Sequence, residues 1–215
     1  MLILAIDTAL SACSVAIVRH GVTLASRVDP MARGQAELLA PMVQTMMREA
    51  EIGFDQLDRI AVTRGPGAFT GLRVGLAFSR GLALALNKPC IGISTLEVLA
   101  VGASQHRTLA VIAVAGSLFV GGWEGRRETI APCQTELAAL LGQLHGDWAV
   151  TGPGAASILP ARPDWLHIHQ DLPDPIILAQ MASHVDPADY PPAPLYLRGV
   201  EAKLPGGVLV PDTAT

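Results

Sequence analysis

Residues 1–28 read MLILAIDTALSACSVAIVRHGVTLASRV, and their pattern decides the fold. Residues 1–7 form a short apolar run, residues 12–19 a second, and His20-Gly21 separates the latter from a third at 22–28. Runs of this length between turn residues read as three consecutive antiparallel strands. Asp29-Pro30 then breaks the sheet signal. From 35 to 51 the apolar residues recur at helical spacing. Residues 58–64 read as a strand, 71–86 as a helix stopped by Asn87-Lys88-Pro89, and 90–93 as a further strand.

Three antiparallel strands followed by alternating helices and strands is the order of an α/β ribonuclease-H-like fold, a mixed sheet covered by helices. Repeated twice, the same unit builds the actin-like (ASKHA) ATPases and sugar kinases. There, a loop after the first strand, carrying an Asp, contacts nucleotide phosphate. The corresponding loop here is Asp7-Thr8-Ala9-Leu10-Ser11, without the glycine that lets a backbone close on a phosphate. The second half reads as strands at 108–115 and 118–124, a strand or turn at 127–130, and a helix at 135–144. Strands at 148–151 and 165–169 and a helix at 176–184 follow. The expectation is two lobes, 1–104 and a smaller, reduced 105–215, with a loose tail from Pro205.

Between the two halves of the first lobe lies Gly65-Pro66-Gly67-Ala68-Phe69-Thr70-Gly71-Leu72-Arg73-Val74-Gly75. A glycine-rich turn running into a helix is the setting of phosphate loops. Neither standard fingerprint fits, because Gly71 is followed by Leu72-Arg73 instead of Lys-Ser/Thr, and Thr70 stands where a dinucleotide loop needs its third glycine. Gly71, Gly75, Ser79 and Ala83 instead recur every four residues. That spacing makes one helix face almost without side chains, suited to the close approach of another element.

The chain has 215 residues, half hydrophobic and 16% charged, which suffices for a sizeable core. A net charge of −4 gives no global basic footprint, so direct, tight nucleic-acid binding by this chain alone is disfavoured. Cys13, Cys90 and Cys133 are far apart and form no CxxC, which suits a reducing compartment and small buried hydrophobes more than structural zinc. The first apolar run has no basic residue before it and meets Asp7, and the longest uncharged stretch, 108–123, is short of a membrane span and broken by glycines. The expectation is a cytoplasmic protein without membrane association.

Candidate chemistry is sparse. None of His20, His106, His145, His167, His169 or His184 forms HExxH. His167 and His169 share one strand face but have no third ligand in view, so a surface strand is the better reading. Ser11, Ser14 and Cys13 have no recognisable base and no nucleophile-elbow sequence. Asp7 and Thr8 carry a nucleotide reading only through the fold; capping the next turn, or pairing with an arginine such as Arg73, is favoured over it. Gly206-Gly207-Val208 reads as a linker. No cofactor and no metal are expected on this chain.

The helix at 35–51 offers the positive signal. Leu38, Met42 and Met46 form one apolar stripe and Leu39, Val43, Met47 and Ala50 the next. One stripe covers the sheet, and the methionine stripe is expected to stay available, since flexible thioethers suit adaptable contact surfaces. The small-residue face of Gly71, Gly75 and Ser79 supplies close approach.

Three stretches together resemble a known family: Leu4-Ala5-Ile6-Asp7-Thr8 with Ala12-Cys13-Ser14-Val15-Ala16, the segment from Arg64 through Gly65, Pro66, Gly67, Phe69 and Thr70 to Arg73 and Gly75, and Pro194-Leu195-Tyr196-Leu197-Arg198. The chain resembles the TsaB (YeaZ) family, the bacterial accessory subunits of tRNA threonylcarbamoyladenosine biosynthesis. The resemblance is strongest over residues 1–100 and thin between 102 and 183. It implies an actin-like fold without catalytic power that heterodimerises with TsaD, the paralogue that transfers the threonylcarbamoyl group to an adenosine next to the tRNA anticodon. It further implies a larger assembly with the ATPase TsaE, ATP and metal on those partners, tRNA met only through the complex, and a homodimer when TsaD is absent. The metal-binding His-x-x-x-His of TsaD corresponds to Ser94-Thr95-Leu96-Glu97-Val98-Leu99 here, which has no histidine. The interface is expected on the helices at 35–51 and 71–86, through Leu38, Met42, Met46, Gly71, Gly75 and Ser79. The alternative is a stand-alone ASKHA-type nucleotide-binding enzyme, or a hydrolase of the glycoprotease kind.

Overall fold

A computed structural model describes residues 1–103 and 107–197. The first sheet is built from β1 (Leu2–Asp7), β2 (Ala12–Arg19), β3 (Val22–Pro30), β4 (Arg59–Thr63) and β5 (Cys90–Ile93) in the order β3-β2-β1-β4-β5. β1 pairs antiparallel with β2 and parallel with β4, and β2 pairs antiparallel with β3. All of β1 and all but the last residue of β2 are buried, which is why both read as continuous apolar runs: helices cover both faces. β3 extends through Asp29-Pro30, which the sequence marked as a break. It lies at the sheet's edge, where Pro30 opposite Ala12 takes the last ladder position.

The second sheet repeats this topology. β6 (Arg107–Val114), β7 (Ser117–Glu124), β8 (Arg127–Thr135), β9 (Ala149–Thr151) and β10 (Leu166–Ile168) lie in the order β10-β9-β6-β7-β8. The uncharged stretch at 108–123 is thus a β-hairpin, and the strand or turn expected near 127–130 is a nine-residue strand. Reduction of this lobe lies in its connections. α4 (Leu137–Gln143) has seven residues where α1 (Gln35–Glu49) has 15, and two 3-10 turns stand where the first lobe has the 18-residue α2 (Phe69–Leu86).

Two further helices tie the lobes together. α3 (Thr95–Gly102), which the sequence did not mark as a helix, places Leu96, Leu99 and Ala100 in one apolar cluster with Ala110, Ile112, Phe119 and Trp123 of the second sheet. α5 (Pro175–Ala182), capped by Asp174 accepting from the Ile176 N–H at 2.7 Å, buries Leu178, Ala179 and Ala182 against β1, β2 and β5. The expected boundary at residue 104 therefore separates the two sheets, but each sheet takes a covering helix from the other half of the chain. Arg198, the tail from Pro205, Gly206-Gly207-Val208 and His106 lie outside the described residues.

Candidate functional site

The loop after β1 is closed. Asp7, Thr8, Ala9 and Leu10 are all buried. The Asp7 Oδ1 accepts hydrogen bonds from the Thr63 hydroxyl at 2.5 Å and the Ala9 N–H at 3.1 Å, so this carboxylate caps its own turn. Burial pushes the Asp7 carboxyl up from 3.8 to about 6, against the lowering effect of those two bonds. Arg73 is not its partner: that guanidinium stacks 3.6 Å over the Phe69 ring and lies 3.5 Å from the Tyr196 hydroxyl.

What closes the loop is the glycine face of α2. The Ala68 N–H donates to the Ala9 carbonyl at 2.7 Å, and the Thr8 hydroxyl donates to the Gly71 carbonyl at 2.8 Å. A methyl group at Gly67 would clash with the Ala9 carbonyl oxygen, one at Gly71 with the Thr8 carbonyl oxygen, and one at Gly75 with the Thr8 hydroxyl. Backbone therefore packs on backbone along the loop after β1. Upstream, Gly65 takes a positive φ of 101°, and its carbonyl accepts from the Thr95 N–H at 2.9 Å. The Arg64 carbonyl accepts from the Leu195 N–H at 2.8 Å, so the stretch that resembles the family at 194–197 straps the turn.

The expected contact residues lie elsewhere than the sequence suggested. Met42 and Met46 are buried with Leu39, Val43 and Met47 in the cluster that α1 forms on β1 and β2, and Leu38 is half-buried at its margin. At 3.6 residues per turn, positions 39, 42, 43, 46 and 47 form one buried stripe instead of the two rows expected from the sequence. Each such burial contributes roughly 1.5–3 kcal/mol to the fold. Gly71, Gly75 and Ser79 are also buried, facing Thr8 and β4 and not the surface. The exposed side of α2 is a different row: Ala77, Gly81, Leu84 and Ala85, with Val74, Phe78 and Leu82 half-buried toward α1. Leu84 is 84% exposed, and α2 is apolar and long enough by composition to cross a membrane, although its inner face is part of the fold.

No group of three or more His, Cys, Asp or Glu that could hold a metal occurs among the described residues. The His167 and His169 rings do lie side by side, 3.9 Å apart, at the edge strand β10. Ser94 caps α3 by position, and the helix that follows brings no histidine. Cys13 is buried and Cys90 half-buried, while Cys133 is exposed on β8. Glu97 escaped the sequence reading. Burial between the lobes pushes its carboxyl from 4.5 to about 7, with Arg64 and Arg126 opposing and Glu128 assisting. Its only sequence signal was a lone acid inside the apolar run Thr95-Leu96-Glu97-Val98-Leu99.

Two topologically matched sheets with exchanged covering helices define an actin-like fold in which the loop after the first strand is sealed by α2. The profile of the TsaD family, tRNA N6-adenosine threonylcarbamoyltransferase, matches residues 29–143. The tRNA threonylcarbamoyladenosine biosynthesis protein TsaB of Escherichia coli K12 is 37% identical over 168 residues, 72% of each chain. YeaZ from Pseudomonas aeruginosa superposes with a TM-score of 0.79 at 29% identity, over 91% of this chain and 99% of that one. The activator of 2-hydroxyisocaproyl-CoA dehydratase from Clostridium difficile, at 10% identity and a TM-score of 0.51 over 85% of this chain and 94% of that one, shares the fold alone. The chain belongs to the TsaB (YeaZ) family, and its role lies in tRNA threonylcarbamoyladenosine biosynthesis.

Proposed function

We propose that this chain is a non-catalytic scaffold and activator of threonylcarbamoyl transfer to the tRNA adenosine next to the anticodon, acting by heterodimerising with TsaD. The sealed Asp7–Ser11 loop carries the reading: a nucleotide phosphate reaches that backbone only if the first turns of α2 are displaced. The residues present do not fit ATP there, and no step of the transfer runs through this chain. ATP and metal belong to the partner subunits, TsaD and the ATPase TsaE, and tRNA is met through the assembly, in the cytoplasm.

The docking face is the outer side of α1 and α2. α2 offers Val74, Ala77, Phe78, Gly81 and Leu84, and α1 adds Leu38 and Pro41 beside them. A contiguous apolar surface of this kind marks a site covered by another protein. The same face pairs two copies of the chain when TsaD is absent.

Reconstituted tRNA modification with and without this chain tests the role: activity requires both TsaD and this chain. Activity from this chain alone, or micromolar ATP–magnesium binding by calorimetry, would refute it in favour of an independent nucleotide-binding enzyme. Leu84→Glu, which touches no core, is expected to abolish both self-association and TsaD binding in sedimentation velocity.

A further inference from the structure

A cavity of about 450 Å³ lies between the lobes, at the far end of α2 from Leu84. Its floor and walls are Leu72, Phe119, Val114 and Leu195, and its mouth is flanked by Phe69 and Tyr196. Phe69 and Tyr196 are 58% and 59% exposed, which places two aromatic rings in water beside an apolar cavity. Among the described residues, Arg73 is the only charged side chain in the lining. It is exposed, it stacks on Phe69, and among the described residues it makes no ion pair with a carboxylate. The helix it sits on has no acidic residue in its first turn and no side-chain cap.

From this geometry we infer that the inter-lobe cavity is a docking pocket for a segment of a partner protein that inserts one large apolar side chain and sets a neighbouring carboxylate on Arg73. Exposed aromatic rings with an arginine at the rim of a preformed apolar pocket are the composition of a protein-binding hot spot. The cavity is at the small end of the range for ligand pockets, roughly 300–1,000 Å³, which suits one or two bulky side chains. An unstacked RNA base is the less suitable occupant. Half of the lining is aliphatic, and among the described residues no row of cations leads to the mouth to track a phosphate backbone. The pocket is separate from the outer faces of α1 and α2, and it uses none of the residues assigned above to TsaD docking.

Titration of the isotope-labelled full chain with the peptide acetyl-Asp-Leu-Phe-amide, followed by two-dimensional amide NMR, tests the pocket. The expected result is saturable shifts at Phe69, Leu72, Phe119 and Leu195. Replacing Asp by Asn in the peptide should weaken binding about 1.5- to five-fold, the range for a pair with an exposed arginine. Arg73→Gln should remove that difference, and Val114→Trp should fill the cavity and abolish the shifts while leaving the rest of the spectrum unchanged. Equal binding of the Asp and Asn peptides, or no saturable shift at the lining residues, would overturn the inference. So would tighter binding of 3-phenylpropionate than of the peptide, which would make the site one for a small acid, or of uridine 5′-monophosphate, which would make it one for nucleic acid. Sedimentation with Leu84→Glu reads the TsaD face separately, so failure of either assignment is distinguishable from failure of the other.

Discussion

Replacing Asp7 with Asn tests whether the first-strand loop is sealed. The substitution keeps the Oδ1 acceptor for the Thr63 hydroxyl and the Ala9 N–H, and it changes only Oδ2, which has no partner among the described residues. The carboxyl is raised from 3.8 to about 6 in the folded chain, so the native state holds this proton more tightly than the unfolded one. The resulting stabilisation is fully present below pH 3.8 and is lost as pH rises through about 6. At 1.36 kcal/mol per pKa unit, the loss is about 3 kcal/mol. Asn does not titrate and has no such loss. Any cost of an unpaired amide, roughly 1–3 kcal/mol, is the same at every pH. The stability of Asp7→Asn minus that of the parent should therefore climb by about 3 kcal/mol between about pH 4 and pH 7 and be flat above. Urea unfolding of both chains, followed by far-UV circular dichroism at half-unit steps of pH, measures it, and other titrating groups cancel in the difference. A difference constant to within about 0.5 kcal/mol would mean that Asp7 is solvated. The loop would then be open, and the argument against nucleotide at this position would fall.

Three other outcomes are expected. Gly75→Ala should cost about 1–3 kcal/mol in thermal or urea unfolding by driving its methyl against the Thr8 hydroxyl. Gly81→Ala, with open space around it on the same helix, should be neutral or gain about 0.5–1 kcal/mol. Met42→Glu should unfold the first lobe, since it buries a carboxylate in the α1 cluster, whereas Leu84→Glu should leave the melting temperature unchanged and act only on association. Glu97, raised to about 7, contributes stability below pH 4.5 that is lost as pH rises through 7, so Glu97→Gln should flatten the fall in stability between pH 4.5 and about 7.

The strand order was legible because β1 and β2 are buried on both faces and their runs are bounded by polar turns. α3 was not legible: eight nearly uniform apolar residues have no periodicity when a helix is buried almost all round. The closing of the loop was visible only as the spacing of Gly71, Gly75 and Ser79. That spacing correctly signalled close approach, but it cannot say whether the approaching element belongs to the same chain. Here it is Thr8, 63 residues away in sequence from Gly71. The cavity was invisible for the same reason, since Phe69, Phe119 and Tyr196 meet only through the exchange of segments between lobes.

The two sides of α2 depend on one another. Its inner face has glycine at 71 and 75, with Gly67 in the turn before it, because the helix lies against the Thr8 and Ala9 backbone, and that contact fixes where the axis runs. Its outer face then has Ala77, Gly81 and Leu84 in water at a position set by the sealed loop. An open loop that admits a ligand would need the first turns of α2 to move, and with them the surface assigned to TsaD. Sealing the loop is thus the same structural event as presenting a rigid partner surface. On this account, a variant that loosens the Thr8–Gly71 hydrogen bond should weaken partner binding without altering any residue of the interface. Thr8→Val, nearly equal in shape and lacking the hydroxyl donor, is the substitution that isolates that link.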